Sequence, residues 1–550
     1  MDKRLIGVLA CYALVSIIIF SWMDITITNS YQRANTAAYM ADFAKKDLLK
    51  TNSFQELKDN FLQGHGHYKI FSGIADWPPL QLMLLTLSFL VFGINKLSFM
   101  FFPLIITLLT LIYLYKLVLL SYNNRNIALT TVILTALSTF FFYESATPML
   151  ENGIALFTIM CVYYFALYLK TKKDKYFYST TAALALGLLY KEQMILIIPA
   201  LAGIFLYKTR LKEFFTSKRN YKMLLVSLAV FFLIMLPMIA REIVLMKEGV
   251  SIIASRSIGR IKYIYEDVGK KGFLTAKELE FQNELPEYKR ELINNRYSLS
   301  HLQKFIIAIT STFFNWILIP FILLGLARKY SKFNDIEIMI LIFVATSLVF
   351  FSLHGLIPRL ALPTAILLNI FAAKGVFSLP RKAIIPIMAI VFIMLGFQTS
   401  SFFVKIYNNE HILSMQHDYE ASAQYMLDNT QGEFTVITSR VHQMAFEFIR
   451  QDKNRKAYVE LIPEKQEQLK EMLQGIFRTP ELLEESNIEY ETTRPKVRYV
   501  VIHEKLETGP LKGLADYNIP EFLNNYENAT LVKTIDSPFP NSRTWIYQIN

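Results

Sequence analysis

Residues 97–120 read LSFMFFPLIITLLTLIYLYKLVLL, an apolar run that carries a single charge, Lys116. An α-helix needs about 20 apolar residues to cross the hydrocarbon core of a bilayer, and this stretch is long enough. Runs of similar character lie at 5–23, 152–169, 221–240, 303–327, 336–353, 360–377 and 383–403. Shorter apolar runs lie at 79–94, 127–142, 176–190 and 192–207. We therefore predict a polytopic α-helical membrane protein with about 11–13 helices.

The charge of the chain is divided unequally between its two parts. Lysine and arginine exceed aspartate and glutamate by 12 over the 550 residues, yet residues 405–550 have a net charge of −6. A basic chain suggests nucleic-acid binding. Here, however, the positive charges form short clusters between apolar runs, which is typical of cytoplasmic loops. The pattern indicates a lipid bilayer as partner and no nucleic acid.

The same clusters predict the topology of the chain. They lie at 1–4, 116–125, 171–175, 208–222, 327–332 and 381–382. If all are cytoplasmic, the chain spans the cell (inner) membrane with its N-terminus in the cytoplasm. The external parts are then 24–78, 241–302 and the chain after 404. An odd number of crossings must then separate 24–78 from 116–125, although two apolar runs lie between them. We expect the shorter run, 79–94, to be partly re-entrant or interfacial.

Residues 405–550 differ in character from the membrane part, 1–404. Five strands are predicted, at 434–438, 456–462, 498–503, 529–535 and 544–549. Four helices are predicted, at 414–428, 441–451, 463–476 and 519–526. This alternation indicates a C-terminal, extracytoplasmic α/β domain. No glycine-rich phosphate loop follows its first strand, so an accessory role is favoured over a nucleotide site.

Three acidic residues of the predicted external segments are candidates for catalysis. Asp42 lies on the same face of a predicted helix as Asn35 and Tyr39. Asp76 directly precedes a helix that begins with two prolines, and Glu151 opens an apolar helix. A solvated helix face also explains Asp42. A charge that complements the helix dipole explains Asp76 and Glu151.

Three cationic or titratable residues lie at the external ends of apolar helices. Lys191 interrupts the run GLLYKEQMILIIP, and His354 and Arg359 occur in FSLHGLIPRLALP. Lys191 and Arg359 can together hold a phosphate, or they can extend to lipid headgroups.

No cofactor follows from the sequence. Cys11 and Cys161 both lie inside apolar helices, which provides neither a disulfide framework nor a zinc spacing. His65 and His67 flank Gly66, an arrangement that suits a metal or a polar interfacial loop. The sequence therefore leaves open whether the protein binds a divalent cation.

Four stretches follow one another along the first 400 residues: WPPLQLMLLTLSFLVFGINKLSFMFFPLI at 77–105, ATPMLENGIALFTIMCVYYFALYL at 146–169, ALGLLYKEQMILIIPAL at 185–201 and HGLIPRLALPTAILLNIFAAKGV at 354–376. In this order they resemble the GT-C superfamily of membrane glycosyltransferases. They are similar to the bacterial relatives of protein O-mannosyltransferases and of the lipid A aminoarabinose transferase.

The resemblance implies a polyprenyl-phosphate sugar as donor and a cell-envelope glycan, lipid or protein as acceptor. An external carboxylate, Asp42 or Asp76, would take the proton of the acceptor hydroxyl. Lys191, Arg359 and His354 would hold the lipid phosphate, together with Arg241, Arg256 and Arg260 of the 241–302 loop. Glu151 would orient the acceptor or bind a cation.

One departure from the family pattern leaves alternatives open. The family usually has an aspartate four residues before a tyrosine after the first helix, and Asn35 occupies that position here. An inactive protein that binds lipid-linked sugars is therefore one alternative. A transporter or flippase of lipid-linked saccharides is another, although the two halves of the helical region do not resemble each other.

Overall fold

The structure is a computed structural model. It describes residues 2–23, 34, 36–38, 40–42, 44–45, 79–145, 151–208, 217–247, 316–327, 333–354, 361–408, 410–438, 441–451, 457–463, 466–474, 496–503, 518–536 and 543–550.

The predicted membrane fold is confirmed, because the described residues of the first 400 form a bundle of apolar helices. Its helices are α1 (Lys3–Met23), α2 (Pro79–Phe92), α3 (Lys96–Tyr122), α4 (Arg125–Ala136), α5 (Thr139–Glu144), α6 (Glu151–Thr171), α7 (Asp174–Tyr190), α8 (Ile198–Lys208), α9 (Lys218–Lys247), α10 (Ile319–Leu326), α11 (Asp335–His354), α12 (Leu362–Phe377) and α13 (Arg381–Asn408). Within the described residues, α1, α3, α6, α9 and α13 are long and apolar enough to cross a membrane.

Contacts between helix ends define two faces of the bundle. On the first, the Arg4 guanidinium donates to Asn126 Oδ1 at 3.2 Å, and Lys208 Nζ lies 2.9 Å from Asp335 Oδ1. We name this side the N-terminal face. The opposite side, toward which α13 runs, is named the C-terminal face. Which of the two is cytoplasmic stays a prediction.

Three apolar runs differ in detail from the helices that the sequence predicts. The run 127–142 is two helices, because the chain breaks at Leu137 and Ser138, where the Thr399 hydroxyl donates to the Leu137 carbonyl at 2.9 Å. The run 192–207 begins as a 3₁₀ helix, Glu192–Ile197. Helix α9 continues to Lys247, so Arg241 lies on a helix where the sequence predicts a loop.

The C-terminal region contains the predicted sheet between helices. The strands are β1 (Phe434–Thr438), β2 (Ala457–Leu461), β3 (Val497–His503), β4 (Ala529–Asp536) and β5 (Arg543–Ile549). The helices are α14 (Glu410–Asn429), α15 (Val441–Gln451), α16 (Gln466–Leu473) and α17 (Ile519–Asn524). The strand order is β2-β1-β3-β5-β4, with β1 parallel to β2 and β3 and with β5 antiparallel to its neighbours. Apolar side chains of α14 and α15 cover one side of the sheet, and those of α16 and α17 cover the other.

One aromatic side chain joins this region to the membrane bundle. Phe446 of α15 is 3% exposed, and its ring lies 6.3 Å from that of Phe89 and 6.1 Å from that of Phe99. The turn between α2 and α3 therefore lies beside the C-terminal region. Helix α2 spans about 21 Å at 1.5 Å per residue, less than the roughly 30 Å hydrocarbon core. That it does not cross completely stays a prediction.

Candidate active site

A buried ion pair joins two residues that the sequence singled out separately. Lys191 Nζ lies 3.3 Å from Glu151 Oε1, and the two side chains are 13% and 1% exposed. Glu151 is the first residue of α6, where the positive end of the helix dipole stabilises a carboxylate. Lys191 ends α7 in extended backbone before the 3₁₀ helix begins. The break in the helix therefore aims Lys191 at the start of its neighbour.

Close packing of α6 and α7 fixes the position of this pair. A Cβ at Gly153 would lie 2.1 Å from the ring of Tyr190, the residue before Lys191. A Cβ at Gly187 would lie 2.6 Å from Met194 Cγ, and the Thr158 hydroxyl lies 3.3 Å from the Met194 sulfur. An added Cβ would overlap a side chain at both positions, so α6 lies close to the end of α7 at Gly153, and α7 lies close to the 3₁₀ helix at Gly187.

The pair is recessed into the bundle. Asn152 Nδ2 donates to Thr107 Oγ1 at 2.9 Å, which ties the start of α6 to α3. Thr107 lies about 16 Å along α3 from its first residue at 1.5 Å per residue. Lys96, that first residue, belongs to the turn beside the C-terminal region. The carboxylate and the ammonium therefore lie below the C-terminal face and inside the bundle.

The charges of the site depend on each other. A buried charge that loses its partner costs about 3–5 kcal/mol, because neither water nor an opposite charge replaces the contact. The Glu151 carboxylate therefore holds the Lys191 side chain in one place. An ammonium in such a place suits an anionic ligand, because the low dielectric strengthens its attraction for a phosphate.

Asp42 is the other predicted site residue whose side chain the structure describes. It is half-buried on a helical segment whose alanines at 34, 37, 38 and 41 are buried in the bundle core. Met40 of this segment accepts a hydrogen bond from the Thr86 hydroxyl of α2 through its sulfur, at 3.8 Å. The segment is therefore packed on the bundle and is not a free loop.

The remaining predicted residues are placed only in part. Arg241 belongs to α9, about 35 Å along that helix from its start at the N-terminal face. His354 is the last residue of α11, whose first turn lies at the N-terminal face. Asp76, Arg256, Arg260, Arg359, Asn35, Tyr39, His65 and His67 lie outside the described residues.

The polar partners around the site were not predicted from the sequence. Asn152 and Thr107 were not singled out, although each is a polar residue in an apolar helix, a signal that usually marks an interhelical contact or a functional site. No group of three histidine, cysteine or acidic side chains suited to a metal occurs within the described part of the chain.

Comparisons with known proteins agree with this fold. The model of a family described as dolichyl-phosphate-mannose-protein mannosyltransferase matches residues 76–238, which include Glu151 and Lys191. The search of curated proteins finds no match.

Solved structures of membrane glycosyltransferases are similar over nearly the whole chain. ArnT from Cupriavidus metallidurans bound to undecaprenyl phosphate has a TM-score of 0.61 at 10% identity, with 98% of each chain covered. Its apo state has a TM-score of 0.59 at the same identity and coverage. The apo oligosaccharyltransferase of Archaeoglobus fulgidus has a TM-score of 0.54 at 13% identity, with 98% of this chain and 75% of that one covered. The chain thus has the fold of the GT-C membrane glycosyltransferases, and the resemblance inferred from its sequence is confirmed.

Proposed function

We propose that this protein transfers a sugar from a polyprenyl-phosphate donor to a cell-envelope acceptor. The observation that carries the proposal is the buried Glu151–Lys191 pair, recessed below the C-terminal face of a GT-C fold. The bound undecaprenyl phosphate of ArnT from Cupriavidus metallidurans supports a lipid phosphate as the ligand.

In the proposed reaction, the acceptor oxygen attacks the anomeric carbon of the sugar while the bond from that carbon to the phosphate oxygen breaks. The polyprenyl phosphate leaves with the electron pair of that bond, so its negative charge increases by one. Lys191 attracts this developing charge more strongly than the charge of the bound donor. Such a difference between ground state and transition state is what accelerates a reaction.

Two further roles complete the proposed mechanism. Glu151 orients Lys191 when no donor is bound, and the donor phosphate then shares or replaces the carboxylate as the partner of the ammonium. Asp42 or Asp76 takes the proton of the acceptor hydroxyl. Arg359, His354, Arg241, Arg256 and Arg260 remain proposed contacts of the phosphate, and a divalent cation remains a proposed ligand of Glu151.

The proposed location is the inner membrane, with the N-terminus in the cytoplasm and the C-terminal face outside the cell. Polyprenyl-phosphate sugars are lipids, so a recessed site within the bundle can receive the donor from the bilayer. The site then requires no nucleotide-binding loop, and none was found after the first strand of the C-terminal region.

The test is a turnover assay of the purified chain in lipid nanodiscs with a set of polyprenyl-phosphate sugars and extracted cell-envelope acceptors. Transfer that requires Lys191 supports the proposal. Donor binding without transfer would instead indicate an inactive binding protein, the alternative that Asn35 suggests. Movement of the donor across a vesicle membrane without transfer would indicate a flippase.

A further inference from the structure

A second buried ion pair lies at the N-terminal face, remote from the proposed active site. Lys374 Nζ of α12 lies 2.5 Å from Glu337 Oε1 of α11, and the side chains are 8% and 2% exposed. The Tyr122 hydroxyl at the end of α3 donates to the same oxygen at 2.8 Å. The rings of Phe333 and Tyr122 face the ammonium at 5.5 and 6.0 Å. Three helices therefore meet at one carboxylate.

The other carboxylate oxygen belongs to the start of α11. The backbone N–H of Asn334 donates to Glu337 Oε2 at 2.9 Å. In return, the side-chain oxygen Asn334 Oδ1 accepts from the backbone N–H of Glu337 at 3.0 Å. This reciprocal pair is a capping box, which fixes where the helix begins. Asn334 Nδ2 also donates to the Ser121 hydroxyl of α3 at 2.9 Å. Both oxygens of Glu337 are thus occupied, so the pair has the character of a clamp and not of an open binding site.

Helix α12 needs such a clamp because its apolar surface does not define its depth. Residues from Leu362 to Val376 are mostly buried and mostly apolar. An apolar helix gains similar contacts at several depths in an apolar bundle, because no water surrounds it to penalise a shift. A slip by one turn moves a helix by about 5.4 Å, and it would separate Lys374 from Glu337.

The residue after Lys374 strengthens this connection. A Cβ at Gly375 would lie 1.9 Å from the Phe321 carbonyl oxygen, and a Cβ at Gly325 would lie 2.1 Å from the Phe371 carbonyl oxygen. The backbones of α10 and α12 are therefore in contact beside the ion pair. From there α12 extends about 18 Å toward the C-terminal face, and it packs against α6, the helix that begins at Glu151.

We propose that Glu337 and Lys374 are positioning residues for the reaction. Their ion pair sets the depth and rotation of α12, and through the contact of α12 with α6 it holds Glu151 where Lys191 reaches it. The part of this inference that concerns activity rests on the proposed function. The part that concerns helix position does not.

The experiment compares Lys374→Met with the double variant Lys374→Met/Glu337→Gln. The single variant leaves a buried carboxylate without its cation, so its unfolding temperature should fall. The double variant removes both charges, so no buried charge is left without a partner, and the glutamine amide can still cap α11 and bond the Tyr122 hydroxyl. Its unfolding temperature should therefore return close to that of the wild type. The control is Lys208→Met/Asp335→Asn, which removes the ion pair between α8 and α11. The two side chains of this pair are 40% and 38% exposed, so it is not buried.

Positioning is measured by hydrogen exchange in the first half of α12 and of α6, which requires no substrate. The double variant, although stable, should exchange there about tenfold faster than the wild type, and its KM for the donor should rise more than its kcat falls. The control should match the wild type in both measurements. Wild-type exchange in the double variant would overturn the inference and leave the pair a stabilising contact only. Faster exchange in a protein that transfers no sugar would uphold the positioning and contradict the proposed function.

Discussion

Lys191 and Glu151 illustrate how little a single residue reveals without its partner. On its own, Lys191 is a cation between two short helices, and Glu151 is an acid at the start of another. At 3.3 Å from each other they form a preorganised site for an anion, because the carboxylate fixes the ammonium inside the bundle. The roles that we propose for them differ accordingly: Lys191 attracts the phosphate, and Glu151 orients Lys191.

Lys191→Ala should reduce sugar transfer by roughly ten- to a hundredfold, because a charge-assisted contact contributes about 1.5–3 kcal/mol. The measurement is the initial rate in nanodiscs with a polyprenyl-phosphate sugar. Lys208→Ala, at the N-terminal face, is the matched control and should keep the wild-type rate. Equal rates in the two variants would make Lys191 a structural partner of Glu151 and no more.

Asp42→Asn or Asp76→Asn should abolish transfer while donor binding persists, because a general base contributes about 10²–10⁴ to a rate. Each variant is assayed for turnover and for binding of the donor. Asn35→Asp is tested beside them, since the family usually has an aspartate there. Full activity in both asparagine variants would exclude these two carboxylates as the base. Activity that arises only in Asn35→Asp would indicate that the natural chain binds its ligand without turnover.

At the scale of the elements, the site depends on glycines that let helices approach each other. Gly153→Ala should lower the free energy of unfolding by about 1–3 kcal/mol, because the added methyl overlaps the ring of Tyr190. It should also reduce transfer, because Tyr190 adjoins Lys191. The readouts are the unfolding temperature and the rate of transfer.

The control for this change is Gly396→Ala in α13, where an added Cβ would meet nothing within 4 Å. Alanine is a better helix former than glycine, so this variant should be as stable as the wild type or slightly more so. The double variant Gly153→Ala/Tyr190→Leu should recover part of the lost stability. No recovery would show that the overlap lies elsewhere than at the Tyr190 ring.

Phe446 connects an element of the C-terminal region with the turn between α2 and α3. Phe446→Ala should increase hydrogen exchange in α15 and around Phe89 and Phe99, because the ring fills the space between these phenylalanines. Phe522→Ala is the control, since its ring packs against Tyr526 on the opposite side of the sheet. If both variants exchange like the wild type around Phe89 and Phe99, the aromatic contact does not hold the two parts together.

For the whole molecule, the placement of the basic clusters predicts that the N-terminus is cytoplasmic and that the C-terminal region is external. A reporter that is active only in the cytoplasm should be silent when it is fused after Asn550 and active when it is fused after Lys172. The opposite result would show that the chain has the reverse orientation in the membrane. The proposed site would then lie on the cytoplasmic side.

The elements of this protein were largely determined by local sequence. Each long apolar run forms a helix where the structure describes it, and all five predicted strands are present. Helix 441–451 coincides with its prediction, because a periodic apolar face identifies a helix without knowledge of its neighbours. The resemblance to GT-C enzymes was also visible, since the order of four short stretches is a property of the chain alone.

The partners of the charged residues were decided only by the tertiary structure. Glu151 with Lys191, Asn152 with Thr107, and Glu337 with Lys374 are separated by about 40 residues along the chain in each case. Which side chains meet across two helices depends on the rotation and depth of both, and every close contact in the bundle contributes to these. The amino-acid sequence therefore identified Glu151 and Lys191 as candidates, and helix packing made them a pair.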